Sequence, residues 1–209
     1  MATPATRPTR GRRTPRLSGD EREQAVLEAF ERLLEERPLH EVSVDDVARG
    51  AGISRPTFYF YFASKEAVLL SLFERMLAEA RADRDAALAR LPEHDPARWR
   101  QGIASFYEIF RSHRAVTLAG ADARSISEDM RALWSRVMQE WVDEATEAIA
   151  SERARGAAPD GVPARALATS LLLMNERVLH ATFAGHQPAL DESEALDVLL
   201  DVWMKAVYG

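Results

Sequence analysis

Aromatic and hydroxyl side chains are concentrated in residues 54–62, which are Ser-Arg-Pro-Thr-Phe-Tyr-Phe-Tyr-Phe. If this stretch is one helix, Phe58 and Phe62 lie on the same side and can join a core. The alternative is that all the aromatic residues from 58 to 62 form a buried cluster, but one short helix cannot turn every side inward. Exposed aromatic groups in such number indicate a binding partner. The stretch therefore predicts a recognition surface.

Double-stranded DNA is a partner that suits these side chains. A recognition helix contacts base edges through residues near its N-terminus, while nearby hydroxyl groups and cations contact phosphates. We expect Arg55 to bind guanine, and Pro56 and Phe60 to pack on thymine methyl groups. Lys65, in the first turn of the next helix, would add a phosphate contact. The residues predicted to contact DNA are Ser43, Ser54, Arg55, Pro56, Thr57, Tyr59, Phe60, Tyr61 and Lys65.

Two short helices are predicted to hold this surface in place. Ser43 caps the first helix, and Asp46 three residues later completes a pair that resembles a capping box. Gly52 ends that helix because it tolerates positive φ. Ser54 caps the second helix, which carries Pro56 in its first turn, where proline is tolerated. A helix, a tight turn and a second helix in this order predict a helix-turn-helix.

Residues 43–66 resemble the signature of the TetR family of bacterial transcriptional regulators. The resemblance includes the Ala-Gly turn at 51–52, Tyr59, Phe62 and the Ser-Lys-Glu at 64–66. It implies an all-α, TetR-like fold of about nine helices. In such a fold a three-helix N-terminal domain binds DNA, and a helical bundle binds a ligand and dimerises.

The stretches 152–159 and 174–177 further resemble one member of this family, and that similarity runs from about Gly11 to Gly209. It implies a narrow, mostly aromatic channel for an apolar ligand in the helical bundle. The residues expected to contact this ligand are Trp99, Ile103, Phe106, Phe110, Trp134, Met138, Trp141, Asn175 and Trp203.

Periodicity alone favours a plain core over a ligand cavity at these positions. Two features favour a cavity: large aromatic groups are hard to pack without voids, and Asn175, Glu176 and Arg177 interrupt an otherwise apolar helix. A polar group that faces an apolar interior needs a partner. A ligand carbonyl or amide is one such partner, and an ion pair of Arg177 with Glu176 or with another chain is the alternative.

Charge divides the chain into three predicted regions. Residues 1–19 contain five arginines and no acidic residue, and we expect them to be a disordered basic arm that either contacts DNA or only aids solubility. Residues 20–66 are predicted to form the helix-turn-helix domain, and 67–209 the ligand-binding and dimerisation domain. The whole net charge of −6 lies in residues 67–209. A neutral DNA-binding region thus precedes an acidic body.

The last two predicted helices, about Pro163–Ala184 and Asp191–Tyr208, carry more apolar residues than one bundle face requires. A helix that is apolar on nearly every side is normally buried. We therefore expect these helices to pair with the same two helices of a second subunit. A two-fold dimer would carry two recognition helices and would suit a palindromic operator.

Composition and motifs exclude several classes of function. The 209 residues contain no cysteine, which excludes disulfides, thiolate metal sites and cysteine catalysis. No apolar run approaches the ~20 residues that cross a bilayer, and no signal peptide is present, so we expect a cytoplasmic protein without a membrane partner. The five histidines are scattered, and no catalytic or phosphate-binding motif occurs. Neither an enzyme nor a metal or cofactor site is predicted.

These observations predict a ligand-responsive regulator that binds operator DNA as a homodimer and is released when an apolar small molecule fills the helical body. The alternative is a helical carrier of lipid-like ligands without specific DNA binding. Sequence-specific DNA binding distinguishes the two.

Overall fold

The computed structural model describes residues 18–209, which form nine α-helices and one short 3-10 helix, with no strand in that part of the chain. Nearly all of the predicted basic arm lies outside the described residues. The all-α prediction is confirmed. The helices are α1 (Gly19–Glu36), α2 (Val44–Gly50), α3 (Arg55–Tyr61), α4 (Lys65–Leu88), α5 (Ala97–Ser112), α6 (Arg114–Ala123), α7 (Glu128–Ala154), α8 (Ala164–Ala184) and α9 (Glu192–Tyr208).

Reciprocal caps begin the first two helices. Ser18 accepts a hydrogen bond from the backbone N–H of Glu21, whose carboxylate accepts one from the N–H of Ser18. Ser43 and Asp46 repeat this arrangement at the start of α2. The 3-10 helix Leu39–Glu41, which the sequence reading did not include, connects the two helices directly after Pro38. These caps satisfy backbone donors that a helix start otherwise leaves unpaired.

Helices α1, α2 and α3 pack around fully buried side chains, among them Phe30, Val47 and Phe58. Gly52 provides the turn between α2 and α3 at a φ of 68°. Because a side chain with a Cβ is disfavoured at this φ, glycine is well suited to the turn. The predicted helix-turn-helix is therefore present.

Helix α4 begins beside α1 and continues into a bundle with α5, α6, α7, α8 and α9. Within this bundle α7 packs along α8, while α9 packs on α8 and α5. The main hydrophobic core runs without a break from Val26 in α1 to Leu199 in α9. Movement in the bundle can therefore be transmitted to α1–α3 through packed side chains.

The chain bends sharply between α5 and α6 at His113, where α6 returns towards α1. The Nδ1 atom of His113 lies 2.6 Å from a carboxylate oxygen of Glu31 in α1. Its Nε2 atom lies 3.9 Å from Glu79 in α4. This corner of the bundle is thus tied to both α1 and α4.

Within residues 18–209, no helix combines the length and the apolar composition that crossing a membrane requires.

Candidate functional site

The aromatic residues of α3 divide between core and surface. Phe58 is fully buried and Phe62 is nearly so, whereas Tyr59 is 47% and Phe60 82% exposed. The alternative of a single buried cluster is therefore wrong for this helix. Pro56 is also exposed, and Tyr61 lies half-buried against the core. Helix α3 thus presents apolar and hydroxyl groups to solvent at consecutive turns.

The hydroxyl groups predicted to contact DNA also cap the helices that carry them. The Oγ of Ser54 accepts from the N–H of Thr57 at 3.3 Å and lies 2.8 Å from its hydroxyl oxygen. The Ser43 hydroxyl donates to Asp46 at 2.6 Å. Because each of these oxygens already has a partner, a phosphate contact would have to be shared with capping.

Arg55 is held by two exposed neighbours. Its guanidinium lies 3.0 Å from a carboxylate oxygen of Asp45 in α2 and donates to the Tyr59 hydroxyl at 3.3 Å. The hydrogen bond to Tyr59, followed by the charge of Asp45, raises the pKa of Arg55 above its usual value. These contacts direct the Arg55 side chain along the exposed face of α3. Because exposed ion pairs contribute little to stability, the pair with Asp45 can be replaced by a contact to DNA.

Lys65 has a structural partner that the sequence interpretation did not include. Its ammonium group donates to the carbonyl oxygens of Leu39 and Val42, each at 2.7 Å. The side chain is half-buried and ties the start of α4 to the 3-10 helix. In this arrangement its charge is turned towards the protein, so a direct phosphate contact by the side chain requires these bonds to open.

A second site lies inside the helical bundle. It is a cavity of about 620 Å³ whose wall contains all nine residues predicted to contact a ligand. They are Trp99, Ile103, Phe106 and Phe110 on α5, Trp134, Met138 and Trp141 on α7, Asn175 on α8 and Trp203 on α9. This volume is within the range of small-molecule sites. The structure brings these residues together, and their contact with a ligand stays a prediction.

Aromatic side chains pack against one another around the cavity, in tilted and edge-to-face pairs. The ring centroids of Phe106 and Trp141 are 4.5 Å apart, and those of Trp134 and Trp141 are 5.8 Å apart at nearly a right angle. Edge-to-face pairs are favoured by the ring quadrupoles. The Nε1 of Trp141 is buried without a hydrogen-bond partner among the described residues. Most of the wall is formed by apolar side chains, many of them aromatic.

The polar residues of α8 find partners inside the protein. Asn175 accepts a hydrogen bond from the indole N–H of Trp203 at 3.0 Å. Glu176 pairs with Arg124 of α6 at 2.6 Å, so the suggested pair with Arg177 is not observed. The Arg124 guanidinium lies 4.9 Å from the ring centroid of Trp134. Sequence spacing does not reveal these partners because they lie on other helices.

Several wall residues were missed from the sequence. Phe73 of α4 and Phe183 of α8 belong to the wall, and both had the ordinary pattern of buried core residues. Arg84 of α4 lines the cavity and pairs with Glu144 of α7. Arg84 and Glu144 are sixty positions apart in the sequence, so local spacing does not predict their ion pair.

The cavity opens at the end near the α4–α5 loop. Wall residues at this end, including Glu93, His94, Glu147 and Ser151, are exposed to solvent. Arg98 donates to the carbonyls of Leu88 and Leu91 and fixes the loop beside the opening. The remaining wall is formed largely by half-buried and buried side chains, so this end is the entrance.

Among the described residues, no group of three or more histidine or acidic side chains is placed to hold a metal ion. The candidate sites on residues 18–209 are the exposed helix α3 and the internal cavity, and α4 connects them.

Comparison with known proteins assigns the two ends of the chain. Residues 26–72 match the family model described as bacterial regulatory proteins, tetR family. Residues 99–209 match the model for the C-terminal domain of the transcriptional regulator EthR. The first match covers α2 and α3, and the second covers most of the cavity wall.

Two curated relatives are similar over nearly the full length. The HTH-type transcriptional regulator EthR of Mycobacterium tuberculosis strain H37Rv is 54% identical over 205 residues, covering 96% of this chain and 93% of the relative. EthR of Mycolicibacterium smegmatis is 47% identical over 204 residues, covering 98% and 94%.

Solved structures share the fold at lower identity. A transcriptional regulator from Saccharomonospora viridis in complex with choline has a TM-score of 0.72 at 21% identity, covering 89% of this chain and 96% of that one. FadR of Thermus thermophilus, a repressor in complex with lauroyl-CoA, has a TM-score of 0.63 at 21% identity, covering 90% and 95%. These structures show the fold alone. The full-length relatives and the family models show that the chain belongs to the TetR family of bacterial transcriptional regulators and carries an EthR-type C-terminal domain, and that it is a regulator rather than an enzyme.

Proposed function

We propose that this regulator is a homodimeric repressor that leaves its operator when an apolar small molecule fills the cavity. The observation that carries the proposal is a 620 Å³ aromatic cavity connected by the single helix α4 to an exposed α3. A carrier protein would have a use for the cavity but none for the exposed ring of Phe60.

Operator binding is assigned to residues 20–66, with α3 entering the major groove. In this arrangement Phe60 and Pro56 contact base edges, and the Tyr59 hydroxyl and Arg55 lie beside them. A recognition helix in the major groove contacts base edges chiefly through residues near its N-terminus, such as Arg55 and Pro56 here, and hydroxyl groups contact phosphates. The regulator would work in the cytoplasm, where bacterial operators are found.

Ligand binding is assigned to residues 67–209. Apolar side chains, many of them aromatic, form most of the wall, and burial of apolar ligand surface is worth about 25 cal/mol per Å². Two proteins with the same fold form complexes with choline and with lauroyl-CoA, which supports a small-molecule effector for this chain. The aromatic lining favours an apolar effector here.

Helix α6 is the proposed connection between ligand and DNA. Its residues Thr117, Gly120 and Ala121 line the cavity, while the same helix packs on α4 and α1. A ligand releases the operator only if it binds the non-binding conformation more tightly. Displacement of α6 by the ligand would supply that difference by re-aiming α4 and the attached α3.

Titration of the dimer with DNA flanking its own gene tests operator binding. We expect specific binding that survives excess competitor DNA, and loss of binding when N-phenyl-1-naphthylamine, a neutral apolar fluorophore, saturates the cavity. A carrier would bind the fluorophore but show no preference over competitor DNA. Specific DNA binding that does not change at saturation would refute release by ligand.

A further inference from the structure

A chain of hydrogen bonds crosses one end of the cavity. The indole N–H of Trp99 on α5 donates to the Tyr208 hydroxyl on α9 at 2.8 Å. That hydroxyl donates in turn to a carboxylate oxygen of Glu152 on α7 at 2.7 Å. All three residues belong to the cavity wall. Three helices are thus joined through one phenol.

The carboxylate at the end of this chain is fixed and nearly buried. Glu152 is 7% exposed, and the guanidinium of Arg155 donates to both of its oxygens. His94 of the α4–α5 loop lies 3.8 Å from one of them. The Tyr208 hydroxyl therefore donates to a carboxylate that its other partners hold in place.

Tyr208 also separates the cavity from the surface. Besides the cavity, it lines a shallow recess with Pro96 and Met204 at the end of α9. Its ring packs, together with Trp99, against a small core around Ile149 and Val207. The ring provides packing, so the hydroxyl is the part that orients Trp99.

We propose that Tyr208 is a positioning residue that holds the Trp99 indole in the wall and so controls how long a ligand stays in the cavity. This inference rests on the proposed ligand binding. Loss of the hydroxyl would leave the indole N–H without its acceptor, while the Glu152 oxygen would keep its bond from Arg155, and the indole would then rotate. Rotation of Trp99 would loosen the cavity wall where Trp99 and Tyr208 meet.

Tyr208→Phe tests this role, with Tyr107→Phe as the matched control. Tyr107 is buried and its hydroxyl donates to the carbonyl of Glu192 at 2.7 Å, but it lies outside the cavity wall. Each substitution removes one hydroxyl: Tyr208→Phe loses the bonds to Trp99 and Glu152, and Tyr107→Phe loses the bond to Glu192. We expect the dissociation rate of N-phenyl-1-naphthylamine to rise about fivefold in Tyr208→Phe, the effect of one neutral hydrogen bond, and to stay unchanged in the control.

A spectroscopic readout follows the indole directly. The chain has four tryptophans, and we expect the indole N–H signal of Trp99 alone to move and to exchange faster with solvent in Tyr208→Phe. In a double-mutant cycle, Tyr208→Phe should add nothing to the dissociation rate of Trp99→Phe, which already lacks the donor. This cycle separates the hydrogen bond from a general loss of packing.

Equal dissociation rates in Tyr208→Phe and wild type, or additive effects in the cycle, would overturn the role of Tyr208 and leave the proposed function intact. Failure of wild type to bind the fluorophore would overturn both the role and the ligand part of the proposed function.

Discussion

Asp46 shows how one exposed side chain can organise the start of a recognition domain. Its carboxylate accepts from the hydroxyl and the backbone N–H of Ser43 and lies 3.1 Å from Arg37 and 3.2 Å from Arg49. The hydrogen bonds from Ser43 lower the pKa of Asp46 from 3.8 to about 2, and the two arginines add to this effect. The charged form is thus favoured by folding.

This lowered pKa predicts a pH-dependent contribution to stability. A group whose pKa falls on folding stabilises the protein above its unfolded pKa, and the contribution is lost as pH falls from 3.8 to about 2. Asp46→Asn should therefore lower the urea midpoint at pH 7, and its difference from wild type should close near pH 2. Asp20→Asn serves as control, because Asp20 lies in the first turn of α1 and makes no ion pair within residues 18–209. A constant difference at all pH values would contradict the assignment.

The exposed Tyr59 hydroxyl accepts from Arg55 and is the proposed phosphate contact on α3. Tyr59→Phe should weaken specific operator binding about fivefold, because it removes the proposed phosphate contact and the hydrogen bond that directs Arg55. Fluorescence anisotropy with labelled operator DNA at moderate salt measures the change. Tyr208→Phe, the same substitution on α9, should bind as wild type. Equal affinities for the Tyr59 variant and wild type would refute its role.

Single residues were predictable from sequence where their partners are local. The caps at Ser43 and Ser54 follow from three-residue spacing, and the exposed side of α3 follows from its period. The partners of Lys65 and Asn175 were not predictable, because Val42 and Trp203 are more than twenty positions away. Such pairs depend on how helices cross, which periodicity does not specify.

Helix α6 lies close against α4 at Gly120. A Cβ placed on Gly120 of α6 would lie 2.5 and 2.7 Å from two ring carbons of Phe73. Phe73 is buried, and its ring packs edge to face on Trp134 at 5.9 Å, so it cannot move freely. Glycine at this position allows α6 to lie directly against the helix that leads to α3.

Gly120→Ala should therefore destabilise the protein by about 1–3 kcal/mol, the usual cost of overpacking a core. Gly102→Ala on α5 is the matched control, since a Cβ there meets nothing within 4 Å and the residue also lines the cavity. The Gly102→Ala variant should be more stable than wild type by up to about 1 kcal/mol, because alanine has the higher helix propensity. Urea unfolding measures both changes. A Gly120 variant as stable as wild type would show that α6 can withdraw from α4 without cost.

Helix positions were predicted well because caps, prolines and periodic apolar residues mark them locally. The helices expected at about Pro163–Ala184 and Asp191–Tyr208 are α8, Ala164–Ala184, and α9, Glu192–Tyr208. The 3-10 helix Leu39–Glu41 was not predicted, since three residues after a proline carry no periodic signal. The contact of His113 with Glu31 could not be predicted from sequence either, because it depends on the bend between α5 and α6.

At the scale of the whole molecule, two large apolar side chains remain exposed on adjacent helices of the bundle. Leu173 on α8 is 52% exposed and Val198 on α9 is 38% exposed, while α8 and α9 pack together. Scattered exposed apolar residues are common, but apolar residues on neighbouring helices suit a shared interface. This surface is where we place the contact between the two subunits of the proposed dimer.

The dimer is tested by placing a charge on this surface. Leu173→Asp should convert the protein to a monomer in sedimentation velocity, because an unpaired carboxylate would be buried at the interface. Ile126→Asp is the control, since Ile126 is 71% exposed in the turn between α6 and α7. The monomeric variant should also lose most of its operator affinity, because a single α3 contacts only one half-site. A Leu173→Asp protein that remains dimeric and binds its operator as wild type would place the subunit contact elsewhere.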